Sequence, residues 1–406
     1  MKLSRRQIFK AAFAGAGAAV GARLGGGLLG TAHAAGEPAH VVHIMFPGGY
    51  NALFGGVADK FVTGNTFGVT STNIKDLGGG VFTDAGTLGT LSPFALSHWA
   101  AVGIRHGSTS HLANGAEKAI LYDGTNSYLN QLAEAMGGTS ALKSVHFGDR
   151  MPYGPQPAFQ GVSLQRVTDL ANAIRTLGAG TPDPSAPDRE LVAKALAASQ
   201  AVSGPHISAH PKTLGPSKEA YEAAAAAAAT PAPKPVTFNE ISTAYGLAGA
   251  TEVKSFASML AGAEVMIRAG GTNVVNICDP GFVLWDFHQV TSGGASRNGE
   301  FSRNKFTRSI MTPLKAFVDR MLNLPDRNVV VVLNGDFVRL PSGDHGDGTM
   351  VTVLGKYVKN TVTFPCDGRA KFAQGTPTGK TLWAAIAQAA RVPGTPFGAN
   401  PHAITV

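Results

Sequence analysis

The chain has 406 residues, 44% of them hydrophobic and 15% charged, a globular composition with too few charges for a disordered chain. Its 34 Lys and Arg outnumber 26 Asp and Glu for a net +8, but Lys2, Arg5, Arg6, Lys10 and Arg23 all lie in the first 34 residues, and the rest of the chain carries only +3. No basic stripe accompanies that charge, which excludes a nucleic-acid binder, and after the N-terminus no run reaches the roughly 20 apolar residues of a membrane span.

The N-terminal stretch MKLSRRQIFKAAFAGAGAAVGARLGGGLLGTAHAAG sets Arg5-Arg6 before a weakly apolar Ala/Gly segment and ends in the small-residue site Ala32-His33-Ala34. Paired arginines followed by Ile8 and Phe9 predict a twin-arginine export signal over residues 1–34. The expected destination is the periplasm or the exterior, with the export machinery as a partner and no stable membrane span after cleavage. A single domain over 35–406 remains. Cys278 and Cys366 are its two cysteines, and an oxidising compartment permits a bond between them without requiring one.

Along that domain, His40–Phe46 reads as a buried strand stopped by Pro47-Gly48-Gly49. A helix is predicted over Ala116–Met136, a strand over Leu142–Phe147 and a helix over Val167–Leu177. Residues 178–250 change character. GAGTPDPSAPDRELVAKALAAS and AYEAAAAAAATPAPKPVTF describe a helical, Ala/Pro-rich insertion closed by Pro231, Pro233 and Pro235. Alternation then resumes with a helix over Ser255–Arg268 that buries Phe256, Met259, Leu260 and Val265. A strand over Thr272–Cys278, a helix over Phe306–Leu322, strands over Val329–Leu333 and Met350–Leu354, and a helix over Leu382–Arg391 complete the pattern. GTPTGKT, residues 375–381, is one residue short of a phosphate loop and reads as a helix entry. Fully apolar strands alternating with helices predict an α/β fold whose mostly parallel sheet is covered on both faces. Ligands in such folds sit beyond the carboxyl ends of the strands.

Polar clusters recur in that position. They are Gly48-Gly49-Tyr50-Asn51, Ser108-Thr109-Ser110-His111, Trp285-Asp286-Phe287-His288, and the loop carrying Asp336, Arg339, Asp344, His345 and Asp347. Carboxylates and imidazoles are the usual ligands of zinc and other divalent ions, which makes Asp336 and His345 candidates, and Asp286 and His288 either a ligand pair or a capped turn. Ser110 is a nucleophile if a base or metal activates it, and otherwise a helix N-cap. Arg339 is suited to hold an anion bidentately, or to a structural pairing.

In this order the motifs Gly48-Gly49-Tyr50-Asn51, Ser110-His111-Leu112, Trp285-Asp286-Phe287-His288, Gly335-Asp336-Phe337-Val338-Arg339 and Asp344-His345-Gly346 resemble those of the bacterial exported family called domain of unknown function 1501. That family is similar to the alkaline phosphatase and sulfatase superfamily. The resemblance runs from the export signal to about residue 360 and skips the insertion. It implies a three-layer α/β sandwich, alkaline phosphatase-like, with two metals at the strand ends. Asp286, His288 and His345 resemble one ligand set; Asn51, Ser110 and Asp336 resemble the other, with Ser110 as nucleophile. The implied activity is metal-dependent hydrolysis of a small anionic phosphate or sulfate ester, using zinc, calcium or magnesium. Asn51 departs from the family's carboxylate and Phe337 from the hydrolases' histidine. Those departures favour an alternative, a non-catalytic periplasmic binding or assembly protein on a degenerate fold of this type. Asp344 is expected to orient His345 or its turn, and Asp347 to be solvated.

Overall fold

A strand such as Val329-Val330-Val331-Val332-Leu333 has no polar face, so it is stable only inside a sheet covered on both sides. In the computed structural model it sits there. Residues 37–50, 52–111, 115–138, 140–148, 157–176, 237–247, 253–279, 285 and 294–406 are described, with isolated positions between 194 and 209. The segment expected to be an export signal, most of the expected insertion, Asn51, Asp286 and His288 lie outside the described residues. By its contacts the chain forms two units, one of residues 1–36, 137–139 and 178–235, the other of 37–136, 140–177 and 236–406. The sheet and its polar edge belong to the second.

Its strands are β1 (Ala39–Phe46), β2 (Ile74–Asp76), β3 (Phe82–Asp84), β4 (Trp99–Arg105), β5 (Ser144–Phe147), β6 (Gln165–Arg166), β7 (Val274–Cys278), β8 (Asn328–Gly335), β9 (Gly348–Leu354) and β10 (Thr361–Thr363). Its α-helices are α1 (Pro93–Leu96), α2 (Ala116–Leu121), α3 (Tyr128–Ala135), α4 (Leu170–Thr176), α5 (Phe238–Ser242), α6 (Phe256–Ala269), α7 (Gly294–Lys305), α8 (Met311–Leu322) and α9 (Gly379–Ala389). Eight strands form one sheet in the order β10-β4-β9-β8-β1-β7-β5-β6, while β2 and β3 make a small antiparallel pair. β9 alone runs against its neighbours β8 and β4; the other pairings in the large sheet are parallel. The carboxyl ends of β1, β4, β5, β7 and β8 and the amino end of β9 therefore share one edge.

Alternate residues of β1 and β8 enter different cores. Val42, Ile44, Phe46, Val331 and Leu333 pack with α6 and α8, through Met259, Leu260, Leu314 and Phe317. Val41, Met45, Val330 and Val332 pack with α3 and α9, through Leu129, Leu132, Trp383 and Ile386. The fold is a mixed α/β sandwich with a large, mostly parallel sheet. α6 starts where Ser255 and Ser258 form a reciprocal capping box, and Phe256, Met259, Leu260 and Val265 are all buried, as expected. Its buried Glu264 accepts hydrogen bonds from Tyr245 (2.7 Å), Arg268 (2.6 Å) and Arg320 (2.7 and 2.6 Å), joining α6 to α8. Burial alone would raise that carboxyl's pKa, but the bonds from Arg320, Tyr245 and Arg268 outweigh it and hold it low.

Beyond the short added elements β2, β3, β6, β10 and α1, the structure differs from expectation in four places. The helix expected over Ala116–Met136 breaks into α2 and α3, because Asp123 Oδ1 accepts the backbone N–H groups of Thr125 (3.2 Å) and Asn126 (2.8 Å) and Ser127 caps a new helix. The helix expected from Phe306 is preceded by α7 and enters α8 through one π turn over Phe306–Ile310. β4, Trp-Ala-Ala-Val-Gly-Ile-Arg, is an additional strand, too rich in Ala and Gly to announce itself by composition. The contact boundary at residue 235 places α5, inside the segment read as insertion, with the sheet unit.

Candidate active site

At the shared edge, β1 ends at Phe46 and the chain turns through Gly48 and Gly49, both with positive φ (103° and 119°). Only glycine fits at 49: an added Cβ would also lie 2.7 Å from Arg339 Nε. Gly335, the last residue of β8, is equally constrained, since its Cβ would lie 2.4 Å from the Tyr50 backbone nitrogen. These close approaches bring the β1 turn against the β8 turn. Asp336, 1% exposed, accepts the Gly48 N–H at 3.2 Å with each carboxylate oxygen and the Phe337 N–H at 3.2 Å with Oδ1.

The loop after β8 folds back as a narrow hairpin. Val338 N–H donates to Gly348 O (2.8 Å), Gly346 N–H to Val338 O (2.9 Å) and Leu340 N–H to Asp344 O (2.9 Å), and Gly343 turns with φ 90°. Arg339 and His345 pair across it. This presents His345 to the loop after β4, where His111 stands.

There the chemistry concentrates. His111 Nδ1 donates to Asp336 Oδ2 at 2.5 Å. His345 Nδ1 donates to the Thr109 carbonyl at 2.5 Å. With the proton on Nδ1, each ring carries its lone pair on Nε2. The two imidazoles meet edge to face, 4.3 Å between centroids, and the buried Phe337 packs on both, at 4.6 Å from His111 and 4.1 Å from His345. His106, directly after β4, lies beside the Asp336 and Asp347 charges; burial pushes its pKa down to about 4, and its Nδ1 accepts the Ser108 N–H at 3.1 Å. It is neutral at pH 7.

Asp336 and His345 therefore come together, with His111 between them. Asp336 was expected as a metal ligand; here it orients His111. Asp344 is exposed and does not orient His345, which the Thr109 carbonyl does instead. Asp347 is not simply solvated: it pairs with Arg105 Nε at 2.7 Å, and its carbonyl accepts the His106 and Gly107 N–H groups. Ser110 is exposed, and its hydroxyl donates to the His111 carbonyl at 3.3 Å. It does not cap α2, whose N-cap is Gly115. Arg339 is fully buried; Nε donates to Gly48 O (3.0 Å), Nη2 to the same oxygen and Nη1 to Gly343 O (3.0 Å). It clamps the β1 turn to the hairpin, the structural one of its two expected roles. Among the described residues no group of three or more His, Cys, Asp and Glu side chains is placed to hold a metal. Cys278 and Cys366 are not joined by a disulfide: one packs on each face of the sheet.

Two residues escaped the sequence reading. His106 was hidden because β4 was. Asp279 follows β7 directly, is 4% exposed, and accepts from the Trp285 indole N–H and, at 3.4 Å, from Lys305. Its place after a strand was the available signal.

No family model matches this chain, and no curated protein does. Among the solved structures similar to this chain are two that cover 88% of it and 99% of their own length. One is the alkaline phosphatase from the Antarctic bacterium TAB5, 8% identical with a TM-score of 0.28; the other is a mutant of that TAB5 enzyme with Mg bound in its M3 site, 10% identical with a TM-score of 0.26.

Proposed function

We propose that this chain is an exported, metal-dependent hydrolase-like protein of the alkaline phosphatase and sulfatase type, acting on a phosphate or sulfate ester. The observation that carries the reading is the Asp336–His111 hydrogen bond at the sheet's carboxyl edge. A buried carboxylate held by two backbone N–H groups fixes one imidazole tautomer and raises the basicity of its Nε2. The second imidazole, His345, has the same tautomer within ring contact.

Two Nε2 lone pairs are the donor type that zinc accepts, whereas calcium and magnesium prefer oxygen. His111 and His345 would hold such an ion, with Asp286 and His288 from the Trp285 segment completing the three or four ligands it needs. Asn51 belongs to the same proposal. A bound ion would supply an activated hydroxyl or water and neutralise charge on the ester. The chain's own contribution is to orient His111 through Asp336, to hold Asp336 dry, and to present Ser110 on the same loop, its hydroxyl resting on the His111 carbonyl. The twin-arginine signal supports export to the periplasm, with the export machinery as partner.

A second reading, a non-catalytic binding or assembly protein, is favoured by Phe337. Its ring occupies the space between Arg339 and both imidazoles, lying 5.3 Å from the guanidinium carbon. Purified full-length protein separates the two. Metal analysis together with turnover of p-nitrophenyl phosphate and p-nitrophenyl sulfate should show bound zinc and activity that falls at least 100-fold in His111→Ala, about the scale of a lost acid–base group. Wild-type protein with neither metal nor turnover would leave the binding reading.

A further inference from the structure

Below the Asp336–His111 pair, four buried polar side chains stand together on the face of the sheet that packs with Val41, Met45, Val332 and Trp383. Asn334 on β8, His43 on β1, Asn276 on β7 and His146 on β5 are each 0% exposed. They form one hydrogen-bonded row. Asn334 Nδ2 donates to His43 Nε2 at 3.2 Å, His43 Nδ1 donates to Asn276 Oδ1 at 2.7 Å, and Asn276 Nδ2 donates to His146 Nδ1 at 2.8 Å. An amide nitrogen only donates, so the direction of each link is set by the one before it. His146, Asn276 and His43 are direct register partners, whereas Val332 and not Asn334 lies opposite His43. The last link is therefore diagonal and climbs toward the carboxyl edge, two residues short of Asp336.

We propose that this row is the register key of the active-site edge, with His43 and Asn334 as positioning residues for the Asp336–His111 pair. The proposal deepens the hydrolase reading and rests on that pair being its working pair. β8 reads Asn-Val-Val-Val-Val-Leu-Asn-Gly. Sliding it two residues along β1 leaves every apolar side chain on its own face, because the side-chain period is two. The facing of apolar side chains thus barely separates the correct register from the slipped one, and apart from Gly335, which alone fits against Tyr50, the discrimination falls to the polar row. The polar row separates them where β8 slips toward the carboxyl edge: Asn334 then moves away from His43 and both lose that hydrogen bond in a dry core, His43 keeping only Asn276. The slip would also carry Asp336 about 7 Å along the strand axis, away from the Gly48 N–H and from His111. Burying polar groups to specify one register among near-equal alternatives is the best-attested use of such groups.

The test reads geometry, not turnover. Long-range 1H–15N spectra of the full chain labelled with 15N-histidine report each imidazole's tautomer, and His111→Ala assigns the His111 signals. Wild type should show His111 protonated at Nδ1. His43→Leu and Asn334→Leu should keep their circular dichroism while His111 moves toward a mixed tautomer. His43→Gln, whose amide can both accept and donate, should restore the wild-type signal. His402→Leu removes an equally buried imidazole in the C-terminal tail and should lower stability with His111 unmoved. His111 signals unchanged in Asn334→Leu and His43→Leu, or displaced equally by His402→Leu, would overturn the proposal. Absent turnover with an intact wild-type His111 signal would instead count against the hydrolase reading alone.

Discussion

His43 sits in a core where a charge has no solvent, and burial pushes its pKa from an ordinary 6.5 down to about 4. The native state therefore refuses a proton that the unfolded chain accepts. Because the folded pKa is the lower one, the stability contribution is complete above pH 6.5 and is lost as pH falls from 6.5 toward 4. At about 1.4 kcal/mol per unit, the shift is worth roughly 3 kcal/mol, drawn down at up to about 1.4 kcal/mol per pH unit inside that window. His40 and His402 are as buried and are also pushed down to about 4, by burial foremost and, for His40, by Arg327. Together the three approach a typical domain's whole stability of about 5–15 kcal/mol, so acid unfolding is expected near pH 4–5. Urea unfolding followed by tryptophan fluorescence at pH 7.0, 6.0, 5.5 and 5.0 measures the slope. His43→Gln cannot titrate, and its plot of unfolding free energy against pH should be shallower than wild type by up to about 1.4 kcal/mol per unit below pH 6. Carboxylates that titrate in the same range cancel in the comparison. Parallel slopes in the two proteins would refute the reasoning.

Replacing Glu264 by Leu leaves the part-exposed Arg268 and Arg320 and the buried Tyr245 hydroxyl facing an apolar side chain, and should cost about 1–3 kcal/mol in urea unfolding; a loss under about 0.5 kcal/mol would show that the cluster is not what joins α6 to α8. Arg339→Lys gives up most of the fork that grips the Gly48 and Gly343 carbonyls, so roughly 2–3 kcal/mol of stability should disappear. If stability held and only the KM for an anionic ester rose, Arg339 would be a ligand residue after all. Burial pushes the Cys366 thiol up to about 12, so it should react slowly with iodoacetamide in folded protein at pH 8. Both cysteines should be alkylated after unfolding without reductant; recovering a Cys278–Cys366 disulfide from exported protein would contradict the arrangement of the two faces.

The strands that were legible were those whose composition admits one environment. Val329–Leu333 and His40–Phe46 are apolar on both faces and had to be central; Trp99–Arg105, diluted by Ala and Gly, needed its neighbours β9 and β10 to become a strand. Helix starts obeyed local chemistry, and Ser255 behaves as its type suggests. The break at Asp123 was equally local, and was missed because the apolar pattern runs on at either side of it. In the site, the order of polar clusters after strands pointed to the edge where Gly48, His111, Asp336 and His345 gather. It did not say which atom faces which. Asp336 and His345 were both read as ligands, yet Asp336 orients an imidazole from a loop 225 residues away in sequence.

The amino-acid pattern alone determined the α/β class, the central strands, the edge where polar loops gather, and the glycines at the turns. Each of these depends on one residue's own preference or on a period of two or about 3.6, quantities that the chain carries locally. Only the tertiary structure decided that β9 runs antiparallel, that Arg339 serves backbone carbonyls, and that Asn334, His43, Asn276 and His146 are one row. Those facts depend on which strands lie side by side and in what register. A run such as Val-Val-Val-Val-Leu is nearly silent about that, because shifting it by two residues changes almost nothing until a buried polar group loses its partner.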